Sequence, residues 1–77
     1  MTVTRERATT SADLGRRLAA LRIQRGLTQS DAARALGISR RYVSEIEGGK
    51  PSLYSDRLFR LLALLDAGLW VEGEHVA

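Results

Sequence analysis

Two short runs of helical periodicity, separated by a single glycine–isoleucine step, constrain this chain more than any other feature. The first run opens at Thr28, whose hydroxyl can accept a hydrogen bond from an orphan amide, with Asp31 three residues on. It carries Ala32, Ala33 and Leu36 on one side and stops at Gly37. The second opens at Ser39, runs from about Arg40 to Glu47 with Val43 and Ile46 as its apolar positions, and stops at Gly48 and Gly49. With only Gly37 and Ile38 between the first helix and the second cap, the two helices must turn sharply and cross closely. The small Ala33 stands where that crossing falls. Residues 28–47, TQSDAARALGISRRYVSEIE, therefore predict two helices joined by a tight turn.

Flanking patterns supply the rest of the fold. Leu14, Leu18 and Leu21, four and three apart, predict a helix from Ser11 toward Gly26 with one buried face, while Arg16, Arg17 and Arg22 fall elsewhere. Lys50, Pro51 and Ser52 form a loop, and Ser55 is the expected cap of a fourth helix. That helix carries Leu58, Phe59, Leu61, Leu62 and Leu65 on more than one face, so burial on two sides is expected. Leu69, Trp70, Val71 and Glu72 then make a short strand between Gly68 and Gly73. A strand needs a partner for its amides and carbonyls. Residues 1–10 alternate Thr, Arg and Glu without apolar periodicity and read as a flexible arm, leaving the same strand of a second copy as the expected partner. The expected layout is an arm over 1–10, a helical domain over 11–67, and a strand and tail over 68–77 that dimerise through Leu69, Trp70 and Val71.

Composition narrows the means of stabilisation. A chain of 77 residues has room for one small core, and domains of this size often need disulfides, metals or oligomerisation in addition. Cysteine is absent, and the single histidine, His75, has no companion ligands, which leaves oligomerisation and implies no metal or cofactor. No stretch approaches the roughly 20 apolar residues of a membrane span, and residues 1–10 lack the apolar core of a signal peptide, so a cytoplasmic protein without a membrane partner is expected. One histidine, no cysteine and dispersed carboxylates also argue against an enzyme. Charge is uneven: residues 1–50 hold ten Lys/Arg against five Asp/Glu, whereas residues 51–77 hold two against four. A basic half of this kind suits either a polyanion or a solvated arginine-rich surface.

The joint occurrence, in register, of Thr28-Gln29, Ala33, Gly37, Ile38-Ser39, Val43-Ser44 and Glu47 resembles the Cro and phage-repressor family of helix-turn-helix domains over about residues 13–66. The resemblance implies a lambda-repressor-like all-α bundle of four to five helices, with the C-terminal strand added across a dimer, acting as a transcriptional repressor on double-stranded DNA. It further implies that Arg22 pairs with Glu47 as scaffold, that Gln29 holds a phosphate, and that the third helix enters the major groove. Ala32 departs from the family's leucine; the space is then either loose or filled by another side chain such as Leu53 or Phe59.

With Val43 and Ile46 assigned to the core, the residues left to meet base edges are Ser39, Arg40, Arg41, Ser44 and Glu45. Arginine can place two donors on the O6 and N7 of guanine; alternatively Arg40 and Arg41 hold phosphates. Glu45 either accepts from a cytosine amine or orients an arginine. Tyr42 either meets a thymine methyl or the DNA backbone, or packs on its own protein. Gln29, Lys50, Ser52 and, through its backbone, Thr28 are the other phosphate candidates, each with capping or loop chemistry as the alternative. Arg5 and Arg7 either add minor-groove or phosphate contacts or belong to a free tail. A dimer would set two recognition helices about 34 Å apart on an inverted repeat. Residues 48–73, GGKPSLYSDRLFRLLALLDAGLWVEG, are similar to HipB-like antitoxins, which implies autoregulation and a kinase-like toxin as partner; a stand-alone operon or phage-type repressor is the alternative, and a protein-interaction adaptor a third.

Overall fold

The computed structural model describes residues 2–75, so Met1, Val76 and Ala77 of the expected arm and tail lie outside the described residues. Strand β1 (Thr2–Ala8) is followed by helices α1 (Ser11–Gln24), α2 (Gln29–Leu36), α3 (Arg40–Glu47) and α4 (Leu53–Leu64), and strand β2 (Leu69–His75) closes the order. Four helices are present, and none among the described residues is long and apolar enough to cross a membrane.

Each helix starts where its side chains can satisfy the first free amides. The Thr10 hydroxyl accepts from the Asp13 amide at 3.0 Å, and the Asp13 carboxylate accepts from the Thr9 amide at 3.1 Å. At the start of α2 the exchange is fully reciprocal, Asp31 amide to Thr28 hydroxyl at 3.0 Å and Thr28 amide to Asp31 carboxylate at 2.9 Å. The Ser39 hydroxyl accepts from the Tyr42 amide at the start of α3. At α4 the expected cap is displaced: Ser52, not Ser55, occupies the N-cap, and Ser55 is the box partner three residues into the helix. Both serines satisfy N-cap preference equally, and the bond from the Ser55 amide to the Ser52 hydroxyl starts the helix one turn earlier.

The larger departure lies at the termini. Residues 2–8, expected to be an arm, form β1, which pairs antiparallel with β2 in the register Thr2↔His75 to Ala8↔Leu69. The strand that needed a second copy is thus partnered within the chain. Alternation explains why β1 forms: Thr4, Glu6 and Ala8 face α1 opposite Gly73, Val71 and Leu69, while Val3, Arg5 and Arg7 face outward opposite Glu74, Glu72 and Trp70. Ala8 is buried, and a Cβ at Gly73 would lie 2.4 Å from the Leu21 Cδ2, so glycine there is what admits Leu21 from α1. Arg17 ties the sheet to α1 by donating to the Arg7 carbonyl at 3.0 Å while ion-pairing with Glu6 and Asp13.

Burial is sparse. The chain extends 36 × 31 × 15 Å, and a slab this thin encloses little; among the described residues, Ala8, Ala33 and Val43 are the buried hydrophobic ones. Ile46, expected in the core, is 43% exposed, and no residue of α4 is fully buried, against the expectation of burial on two sides. Leu58, Phe59 and Leu62 are half-buried against the rest of the chain, whereas Leu61 and Leu65 face outward.

Candidate nucleic-acid interface

The turn between α2 and α3 is built as the spacing requires. Gly37 takes the left-handed conformation, φ 68°, and the Ile38 amide returns to the Ala33 carbonyl at 3.0 Å, closing α2 while redirecting the chain. Ala33 and Val43, each 5% exposed, are the buried residues of α2 and α3, with Ala33 small enough for the close crossing.

The orientation of α3 is set from the opposite side by α1. Gly15 lies so close to the end of α3 that a Cβ would stand 2.4 Å from the Glu47 carbonyl oxygen and 2.5 Å from that of Ile46. Next to this crossing, Arg22 grips Glu47 with two bonds, Nε to Oε2 at 2.7 Å and Nη2 to Oε1 at 2.9 Å, and donates from Nη1 to the Leu27 carbonyl at 2.7 Å. Gln29 adds a bond from its side-chain amide to Glu47 Oε1 at 3.0 Å. One carboxylate thereby joins α1, the start of α2 and the end of α3. The Arg22–Glu47 pair expected from resemblance is present; the third member, Gln29, is expected from sequence as a phosphate ligand or as part of the capping chemistry at the start of α2, not as a partner of Glu47. Its position at the first residue of α2 is legible in the sequence, but nothing there places it within reach of Glu47.

These contacts shift charge equilibria. Hydrogen bonds from Arg22 hold the Glu47 carboxyl below its ordinary value of 4.5, against partial burial, which pushes it up, and with help from Gln29. The Thr28 amide lowers Asp31 below its ordinary 3.8, its hydroxyl adding to the effect, and the Glu47 hydrogen bond raises Arg22. Both carboxyls are depressed on folding, so the folded chain binds fewer protons than the unfolded chain in acid. Their contribution to stability is present in full above the ordinary values and is lost as the pH falls through the depressed folded values. Thermal melts from about pH 7 to pH 3 should show the midpoint falling below about pH 4.5. Glu47→Gln should melt lower at neutral pH and show a shallower acid decline; an unchanged decline would assign the acid sensitivity to other groups.

With Val43, Ile46 and Glu47 on the inner side of α3, the helical repeat sets Arg40, Ser44, Arg41 and Glu45 side by side on the outer one, over an arc of about 140°. Arg40, Arg41 and Ser44 are exposed, and the Arg41 side chain reaches 87% exposure. Tyr42 flanks this arc at 56% exposure, which favours an outward role over packing on its own protein. Glu45 Oε1 lies 3.4 Å from Arg41 Nε and 3.3 Å from Lys50 Nζ, so in the free protein this carboxylate orients two cations on the same face. Of the remaining candidates, Ser39, Thr28 and Ser52 spend their hydroxyls on caps, and Ser52 stands at the start of α4, not on the arc. Arg5 and Arg7 lie on the outer face of the sheet, where Arg5 stacks over the Trp70 ring at 4.7 Å.

The face combines exposed guanidinium donors with the Ser44 hydroxyl on a capped two-helix frame, with no cluster of metal-ligating side chains among the described residues. No curated protein and no solved structure matches the chain. One family model, described as a helix-turn-helix domain, matches residues 13–72.

Proposed function

The chain belongs to the helix-turn-helix domain family, and on that premise we propose that it is a sequence-specific transcriptional repressor that grips an inverted-repeat operator as a homodimer in the cytoplasm. It is a binding protein, not an enzyme. The observation that carries the reading is the outer arc of α3, where exposed Arg40, Arg41 and Ser44 stand over the buried Val43 while Glu47 is held by Arg22 and Gln29. Arg40, Arg41, Ser44 and Glu45 meet base edges, with Ser39 at the helix start. Lys50, Tyr42 and the second amide hydrogen of Gln29 hold phosphates, whereas Thr28 and Ser52, the other two phosphate candidates of the sequence, give both backbone amide and hydroxyl to their helix caps. An adaptor would present apolar anchors on this arc. The test is selection of binding sites from random duplex DNA at fixed salt. Enrichment of an inverted repeat with half-sites one helical turn apart is expected, whereas recovery of unrelated sequences would overturn the reading.

A second reading is favoured by Trp70, which stands 49% exposed on the outer sheet face beside Arg5, a surface that α3 does not need for DNA. In it the repressor is also the antitoxin of a kinase-like toxin, as the similarity of residues 48–73 to HipB-like antitoxins implies. Co-expression with the product of the adjacent gene, followed by purification of a stable complex, supports this reading; separate elution favours the stand-alone repressor.

A further inference from the structure

Helix α4 carries an apolar face that the chain itself leaves uncovered. Leu53 is 65% exposed, Tyr54 78%, Leu61 52%, Leu64 80% and Leu65 66%, and Arg57 lies among them. At 3.6 residues per turn these six positions form one stripe about 120° wide, separate from the side on which Leu58, Phe59 and Leu62 are half-buried. Side chains of this size expose roughly 100–200 Å² each at such fractions. Five of them present on the order of 700 Å², beyond the few hundred Å² of apolar patch that soluble monomers usually show and close to the ~800 Å² that each partner buries in a standard interface.

The spacing of the stripe points to its occupant. Positions 53, 54, 57, 61, 64 and 65 are symmetric about residue 59, so the stripe reads the same in both directions along the helix. An interface around a two-fold axis requires such self-complementarity, because residue i must meet j while j meets i. Laid antiparallel on a second copy, Leu53 falls opposite Leu65, Tyr54 opposite Leu64, and Arg57 opposite Leu61. The stem of Arg57 then covers apolar surface while its guanidinium reaches the rim. A heterologous partner imposes no such symmetry. The sparse interior of the single chain, with Ala8, Ala33 and Val43 as its buried hydrophobic residues, is the corresponding deficit that a second copy makes good.

We propose that α4 is the dimer interface, packing antiparallel on α4 of a second copy in this register; the inference rests on the homodimer of the functional reading and moves its contact surface from Leu69, Trp70 and Val71 to the α4 stripe. Leu53→Glu and Leu65→Lys test it, because both side chains are largely exposed in the single chain and their replacement leaves its own packing intact. Each places a charge against a leucine of the partner, so each alone should raise the dimer dissociation constant by at least about 100-fold. Combined in one chain they face each other twice across the axis, and the double variant should return to within about tenfold of the wild type. Within one helix the two positions are about 18 Å apart and do not compensate each other. Sedimentation equilibrium of the full chain reads the constant, with circular dichroism verifying helix content.

Dimeric wild type, monomeric single variants and a dimeric double variant support the proposal. A wild type that stays monomeric at all concentrations overturns the homodimer reading and this interface with it. Single variants that dimerise like the wild type overturn the interface and leave the homodimer standing, on the sheet instead. Monomeric single variants with a monomeric double variant overturn the antiparallel register.

Discussion

Replacing both Arg40 and Arg41 by alanine is expected to abolish the discrete complex with the selected operator, lowering specific affinity by at least about 1,000-fold while the fold is unchanged. Both side chains are exposed and neither caps a helix, so their removal leaves Val43, the Ser39 cap and the Arg22–Glu47–Gln29 junction in place. The size of the effect follows from what arginine supplies: each bidentate contact to guanine discriminates by about 1–3 kcal/mol, and each cation on DNA adds counterion release. The single variants separate the two contributions. If Arg41 reads a base, Arg41→Ala relaxes preference at one position of each half-site; if it holds a phosphate, the same variant weakens all sequences alike and reduces the salt slope by about one. Glu45→Gln is a companion: it frees Arg41 and Lys50 from their shared oxygen, so binding to non-specific DNA should strengthen while discrimination falls. Titrations at several salt concentrations decide these outcomes, and retention of the operator complex by the double variant would falsify readout by α3.

The largest effect on stability is expected at Gly15. Any side chain there meets the carbonyl oxygens of Ile46 and Glu47 at about 2.5 Å, and neither backbone atom can rotate away as a flexible side chain could. Relief requires α1 to move off α3, which also pulls Arg22 away from Glu47. Overpacking of this kind costs about 1–3 kcal/mol, and occasionally more, in well-supported cores. With three buried hydrophobic residues among the described ones, the domain has a thin margin that Gly15→Val should exceed, leaving it largely unfolded at about 37 °C. Gly37→Ala is the control. Gly37 is also in a special conformation, φ 68°, but a Cβ there meets nothing within 4 Å, so only the left-handed backbone penalty of about 1–2 kcal/mol applies. Circular dichroism melts of both variants should therefore rank Gly15→Val well below Gly37→Ala; equal melting temperatures would show that α1 and α3 do not need this close approach.

The two glycines mark the boundary of what residue order makes legible. Gly37 is legible because its role is local: a helix that ends two residues before the next N-cap needs a left-handed residue, and the capping residues Thr28 and Ser39 depend only on amides three positions away. For the same reason the extents of α2 and α3 and the outward placement of Arg40, Arg41 and Ser44 follow from periodicity. Gly15 carries no local signal, since inside α1 it only weakens the helix; its purpose is the backbone of α3, some 30 residues away in sequence.

Burial and strand pairing divide in the same way. The alternation in residues 2–8 is carried by threonine and charged residues, a pattern too polar to announce a strand until α1 and β2 are seen to receive Thr4, Glu6 and Ala8. Glu6, on the side of the sheet toward α1, stays largely exposed and is met there by Arg17, a pairing between elements that no local pattern encodes. The apolar face of α4 is visible as composition, but its exposure is not, because how much a leucine buries depends on how many layers cover it. In a chain 15 Å thick, one side of α4 has no neighbour. Local chemistry, namely turns, helical repeat and the caps at Thr28 and Ser39, was thus determined by the sequence alone, while at α4 the choice between Ser52 and Ser55 was left to the structure. The meeting of distant surfaces was decided only by the tertiary structure, because a contact across the fold depends on the positions of both partners and is written in neither segment by itself.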